Sequence, residues 1–293
     1  MEAGVASWVS WVCVIAYLVL GPFVGMLISG IDRKVTARMQ GRVGPPILQP
    51  WYDVKKLFSK DKSAVNNVID LYVATALGMA VVAGALFFAG GNLLIVIFLM
   101  SLSSVFVVVS AYSARSPYSD AGAQRENLTV MAYEPIMLLL PVAMYLITGS
   151  FNVDSTIVQD LPLIVGAPLF FLAYLFVMPA KLRKSPFDLS TSHHAHQELV
   201  KGLTTDMSGH TLAMMEIMDW YEVVLIYGIV GMFLVTSAWW SWILAIVVMV
   251  VCFLLEALVD NTFARVKWKV TLATSWVVTL VFCALNIAFL YFL

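Results

Sequence analysis

The chain has 293 residues, 61% hydrophobic and 12% charged, with a mean hydropathy of +0.90. Soluble domains carry about twice that share of charge. Composition therefore excludes a soluble globular enzyme, a disordered chain and a nucleic-acid binder.

Eight apolar segments read as transmembrane helices, at about 7–31, 69–89, 92–112, 127–149, 163–180, 211–236, 239–259 and 270–292. Each approaches the roughly 20 residues that hydrocarbon demands. The runs are continuous, not alternating, so they predict helices and not barrel strands. Before the first helix stands Glu2 and no cation, which predicts an uncleaved anchor, not a signal peptide. Gly90, Gly91 and Asn92 alone divide the second and third segments, a tight helical hairpin. The fifth segment is the shortest, and its end at Met178 and Pro179 is weakly marked. Only a brief turn around Ser237 divides the sixth and seventh.

The net charge of −1 informs only once the charges are placed. All 17 Lys and Arg fall in alternate loops: 32–66, 113–126, 181–210 and the stretch holding Arg265, Lys267 and Lys269. The positive-inside rule puts these loops in the cytoplasm and both termini outside. Trp8, Trp11, Trp239, Trp240, Trp242, Tyr291 and Phe292 mark the outer ends as an aromatic belt. The expected fold is thus an all-α polytopic membrane protein of eight helices, one membrane domain over 1–293, with two long cytoplasmic loops. Cys13, Cys252 and Cys283 lie inside helices without CxxC spacing and read as small apolar residues. No cofactor or metal is expected in this chain, and no Walker, GxSxG or HExxH motif is present.

In the first long loop, Pro50 to Phe58 predicts a short interfacial helix, with Trp51, Val54 and Phe58 on one face and Lys55 and Lys56 on another. It is either an anchor or the floor of a site at the membrane surface. Before it, Arg38, Gln40, Gly41, Arg42, Gly44 and Pro45 combine cations with turn-specifying residues, the pattern of a docking loop. The second long loop holds Asp188, then His193, His194, His196 and Glu198, with His210 near the next helix. A His-x-His array can ligate a metal, but interface hydrogen bonding or proton exchange near neutral pH fits it better.

Ionisable groups inside membrane helices are costly, and each is a functional candidate. Glu134 lies in the fourth segment, before Pro135 and Pro141. Glu216, Asp219 and Glu222 open the sixth, spread by threes over an arc of about 120°. Glu256 lies near the cytoplasmic end of the seventh, with Asp260 one turn further, and Asp70 starts the second. The plain reading of Asp70, Asp219 and Asp260 is solvated interfacial carboxylates. Glu134 and Glu256 have no basic residue within their helices, which predicts exchangeable protons. All these acids sit in the cytoplasmic half, as a proton funnel or a charge-sensing cavity would.

Taken together, Arg38 to Phe58, Tyr133-Glu134, the stretch from Pro186-Phe187-Asp188-Leu189 to Glu198-Leu199-Val200, and Ser208-Gly209 before an acidic helix resemble one family. It is the membrane subunit at the foot of the peripheral arm in respiratory complex I and in energy-converting membrane-bound nickel–iron hydrogenases, including the formate-hydrogenlyase type. The resemblance implies a multi-pass subunit in the inner membrane of a prokaryote. It implies docking of the hydrogenase large and small subunits and a ferredoxin-like iron–sulfur subunit, with the nickel–iron centre and the clusters held by those partners. It also implies antiporter-like membrane subunits that move protons or sodium. Glu134 matches the family's helix-4 acid, Asp219 its helix-6 acid, and Arg42 its docking loop. Where complex I has Glu-Ala-Glu-Gln-Glu, this chain has His194-Ala195-His196-Gln197-Glu198, which favours the hydrogenase branch over quinone chemistry. Two alternatives remain: a quinone-chamber subunit of a complex I-type dehydrogenase, and a free-standing ion-coupled transporter, for which no inverted repeat is visible.

Overall fold

The computed structural model describes residues 7–61, 67–190 and 201–292. Among the described residues every regular element is helical, as lipid requires of an open chain. In order they are α1 (Ser7–Met39), α2 (Gln49–Phe58), α3 (Asn67–Phe88), α4 (Leu93–Ser113) and α5 (Pro117–Thr148). Two single turns, α6 (Asp154–Ile157) and α7 (Leu163–Gly166), lead into α8 (Pro168–Lys181). A 3-10 turn at Gly202–Thr204 precedes α9 (Gly209–Met232), α10 (Trp239–Thr262) and α11 (Trp268–Phe292). Six of them, α1, α3, α4, α5, α10 and α11, are long and apolar enough to cross a membrane. α8 has only 14 residues, and α9 carries three acids within its 24.

Several boundaries differ from those the hydropathy pattern predicts. α1 runs on to Met39, so Arg33, Lys34 and Arg38 ride its last turns instead of a loop. It ends where Gly41 adopts a left-handed conformation (φ 72°) and Arg42 N–H donates to Ala37 O at 2.7 Å. α5 begins at Pro117, well before the predicted start at 127. Ser116 and Pro117 form a helix-start signal that polar Asp120, Gln124, Arg125 and Glu126 masked. The fifth segment is broken at Ala167 (φ −126°, ψ 50°), just before Pro168. Asn286 of α11 repairs the break: its amide donates to Gly166 O and accepts from Leu169 N–H, both at 2.9 Å. Pro135 likewise leaves Met131 O without its helical donor, and Trp276 Nε1 donates to it at 3.0 Å. The α9–α10 connection spans 233–238, longer than the expected brief turn.

The α3–α4 hairpin forms as predicted, with Asn92 accepting from Leu94 N–H at 2.9 Å as N-cap. α2 is amphipathic, but its inward face differs from the expected one. Pro50 and Val54 are buried against α1 and α9, while Trp51 and Phe58 stay exposed and Trp51 packs near Phe23. The outward faces of α1, α10 and α11 expose large apolar side chains throughout, including Trp8, Trp11 and Trp239, as lipid contact would.

α1 meets α9 closely because Gly25 has no side chain. A Cβ there would lie 2.2 Å from Trp220 O, a backbone atom that cannot swing away. The contact lies two turns before Asp32, a residue of the site below, and fixes α1 at that level. Gly25→Ala is therefore expected to lower the melting temperature of the purified protein, at a cost of about 1–3 kcal/mol from overpacking. An unchanged melting temperature would show that α1 is free to shift.

Candidate functional site

The C-terminus of α8 builds the site. Lys184 N–H donates to Pro179 O (2.9 Å) and Arg183 N–H to Ala180 O (3.2 Å), a Schellman turn. Such turns favour glycine at the left-handed position, yet here Arg183 holds it with φ 53°. A side chain there costs roughly 1 kcal/mol. The turn fans three cations, Lys181, Arg183 and Lys184, toward carboxylates on four other helices.

Lys181 Nζ is buried between α4 and α9. It donates to Ser104 Oγ at 2.8 Å, lies 3.4 Å from Glu222, and sits 5.2 Å over the Tyr133 ring. Tyr133 OH in turn donates to Ser104 at 3.0 Å. Arg183 bridges Glu126 of α5 at 2.7 Å and Asp219 of α9 at 2.9 Å. Glu126 also accepts from Ser190 Oγ. Lys184 bridges Asp32 of α1 at 3.1 Å and Glu256 of α10 at 3.2 Å. Tyr227 OH donates to the other oxygen of Glu256 at 2.5 Å. Burial would pull the Lys184 ammonium down, but the Glu256 and Asp32 carboxylates outweigh it and hold it above its ordinary value. Five carboxylates thus face three cations, so proton occupancy is what this site can vary.

Beside the ring lies a cavity of about 280 Å³, lined by Asp32, Arg33, Lys201, Glu216, Asp219 and Glu222 among others. Arg33 also pairs with Asp53 of α2 at 2.7 Å. Burial alone would raise the Asp53 carboxyl, but the hydrogen bonds and charge of Arg33 hold it below its ordinary value. The segment after α8 is clamped to the α10–α11 connection. Ser185 N–H donates to Asp260 at 2.9 Å, Val266 N–H to Pro186 O at 3.1 Å, and Arg265 pairs with Asp188 at 3.1 Å.

Of the acids singled out from sequence, Glu216, Asp219 and Glu222 share this cavity and Glu256 joins the ring. Glu256 has a cation after all, supplied by the loop after α8 and not by its own helix. Asp260 caps Ser185, and Asp70 accepts from Thr211 Oγ1 at the start of α9. Glu134 stands apart, half-buried on α5 and outside the cavity lining. The α5 acid in the ring is Glu126, about two turns earlier. Asp188 pairs with Arg265 of the α10–α11 connection. Arg38, Gln40, Gly41 and Arg42 form an exposed knuckle, followed by half-buried Gly44 and Pro45. Gln40 Nε2 donates to Asn261 of α10 at 3.0 Å, and Arg42 donates to Gln40. His193, His194, His196 and Glu198 lie outside the described residues. Asp32, Glu126, Lys181, Arg183 and Lys184 escaped the sequence reading as site residues because it assigned their positions to loops or loop edges. Among the described residues no cluster of His, Cys, Asp and Glu could hold a metal.

The chain belongs to the NADH dehydrogenase family, whose profile it matches over residues 11–291. It is 27% identical to hydrogenase-4 component C of Escherichia coli, covering 85% of this chain and 86% of that one. Identity to formate hydrogenlyase subunit 4 of the same organism is 29%, covering 86% and 90%. An NADH-quinone oxidoreductase subunit of Dehalococcoides mccartyi is 26% identical, over 91% and 82%. The fold matches a chain of the membrane-bound sulfane sulfur reductase, an archaeal respiratory membrane complex. The TM-score is 0.82 at 24% identity, over 96% of this chain and 99% of that one. Together with the apolar helices, these relatives make it a multi-pass protein of the inner membrane, homologous to membrane subunits of hydrogenase and complex I assemblies.

The ring and its clamp can each be tested by substitution. Arg183→Gly relieves the left-handed backbone but leaves Glu126 buried and unpaired. A net loss of about 2–4 kcal/mol is expected, read as a fall in melting temperature. Adding Glu126→Gln should recover most of it, and a double variant no better than the single would show the pair to be dispensable. Burial pushes the Asp188 carboxyl up to about 6, against the pull of Arg265. The folded protein thus binds this proton more tightly than the unfolded chain, so stability falls as pH rises from about 4 to 6. Asp188→Asn does not titrate and should gain melting temperature on the parent across that window. A constant difference between the two proteins would contradict this.

Proposed function

We propose that this chain is the membrane subunit of an energy-converting hydrogenase complex. It docks the cytoplasmic nickel–iron and iron–sulfur subunits and couples ferredoxin-linked electron transfer to proton or sodium translocation. The observation that carries the reading is the ring of five carboxylates and three cations beside a cavity. A charge change in a docked redox subunit alters the field across this ring, and the ring answers by changing its protons. The identity to hydrogenase-4 component C and formate hydrogenlyase subunit 4, along nearly the whole chain, supports the hydrogenase branch.

In this reading the chain crosses the membrane eight times, with α7–α8 and α9 added to the six long apolar helices and both termini outside. The broken helix is acceptable because Asn286 satisfies its free backbone groups. The acidic helix is acceptable because its carboxylates face the cavity and not lipid. The exposed knuckle at Arg38–Val43 is the docking surface for the hydrogenase subunits. The nickel–iron centre and the iron–sulfur clusters belong to those partners, and antiporter-like membrane subunits complete the assembly.

A second reading, a quinone-chamber subunit, draws on the similarity to the NADH-quinone oxidoreductase relative. Inhibition of the purified complex by quinone-site inhibitors would favour it, and ferredoxin-driven hydrogen evolution would exclude it. For the coupling role, Glu134→Gln is expected to leave the complex assembled and electron transfer running, while ion movement per electron is lost. Normal pumping by that variant in vesicles would remove Glu134 from the mechanism.

A further inference from the structure

α11 carries a line of small polar side chains on its buried side. Thr271, Ser275, Thr279, Cys283 and Asn286 are each at most 2% exposed. Spacings of four and three residues put them on one face, which α5 and α8 cover. The line runs about 22 Å along the helix, most of the hydrocarbon thickness.

α5 and α11 run in the same direction. The Arg125 guanidinium lies 5.4 Å over the Trp268 ring, and further along Trp276 Nε1 meets Met131 O. Three residues beyond that second contact, Thr279 on α11 comes level with Glu134 on α5. The α5 wall is itself polar in its backbone there. Pro135 and Pro141 have no N–H to donate, and Trp276 takes up only the carbonyl that Pro135 frees.

Several helical hydroxyls elsewhere in this protein bond to the carbonyl one turn back. Thr75, Thr148, Thr271 and Thr274 all do so. Ser275 Oγ and Thr279 Oγ1 do not. Each is fully buried and has no hydrogen-bond partner among the described residues. Two successive turns of one helix thus present unpartnered hydroxyls into the same seam. In an apolar interior that is costly unless a small polar molecule completes the bonding, and water is the smallest that could.

We propose that the α5–α11 seam binds a file of water molecules at Ser275 and Thr279, linking Glu134 to the outer side of the membrane at the Asn286 break. The link to Glu134 rests on the coupling role assigned to that residue above; the water site does not. The file extends the route past the point where the acids stop. A proton leaving the Glu134 carboxyl passes along hydroxyls and waters, each hop breaking one O–H bond and forming another. At the outer end the chain is unwound at Ala167, where Asn286 holds the freed backbone groups.

A high-resolution cryo-electron microscopy map of the whole complex tests the site directly. Ordered water within hydrogen-bond distance of Ser275 Oγ and Thr279 Oγ1 is expected, and a dry seam overturns the proposal. Thr279→Val, which keeps the shape and removes the hydroxyl, tests the role. Loss of ion movement per electron with electron transfer retained is expected, without a gain in melting temperature. A variant that melts higher and pumps normally overturns the proposal, since deleting a hydroxyl from a dry interior stabilises. Glu134→Gln, run alongside, separates the two ideas. If it uncouples while the seam is dry, the seam fails and the Glu134 role stands. If it pumps normally while the seam holds water, the water site stands and its link to Glu134 fails.

Discussion

A charge taken out of water must find an opposite charge close by, and this molecule arranges itself around one solution to that constraint. The turn that ends α8 carries three cations into the interior, and α1, α5, α9 and α10 each bring carboxylates to meet them. Breaking one such buried pair costs about 3–5 kcal/mol, more than most single packing contacts. The ring therefore ties α5 to α1, α9 and α10, helices with which it has few direct contacts. It also explains why Arg183 keeps a left-handed backbone that glycine would adopt more easily. Only a side chain at that position can reach Glu126 and Asp219 together.

The same constraint makes the site responsive. Carboxylates outnumber cations, so the ring has more than one way to distribute protons. The clamp from Ser185, Pro186 and Asp188 to the α10–α11 connection fixes where the turn sits. A partner that pushed on this clamp or changed the local field would act on every pair at once. That is a physical basis for coupling in a chain whose described residues form no metal cluster. The relatives are subunits of hydrogenase and complex I assemblies.

Backbone satisfaction is the second constraint, and polar side chains meet it at three irregular points. Asn286 spans the break before α8, Trp276 takes the carbonyl freed by Pro135, and Asn92 caps α4. In water such defects would be solvated without help. In lipid each needs a specific partner, so these residues, though far from the charged ring, hold the helices that form it.

Sequence by itself determined the membrane class, the helical architecture and the family. Hydrophobic runs, cation segregation and local motifs are properties of short windows, readable without contacts. It also singled out Glu216, Asp219, Glu222 and Glu256, because an acid in an apolar run is anomalous wherever it folds. Only the tertiary structure decided which groups meet. Glu126, Lys181, Arg183 and Lys184 sit at segment edges, where a polar residue looks ordinary. They became a site because the short helix α8 ends in a turn that carries its terminal cations into the interior. Glu134 was the most conspicuous acid in the sequence, yet it lies outside the ring, since hydropathy measures the cost of burial and says nothing about which helix face turns inward. Pairing across helices separated by dozens of residues is set by packing, and no local pattern encodes it.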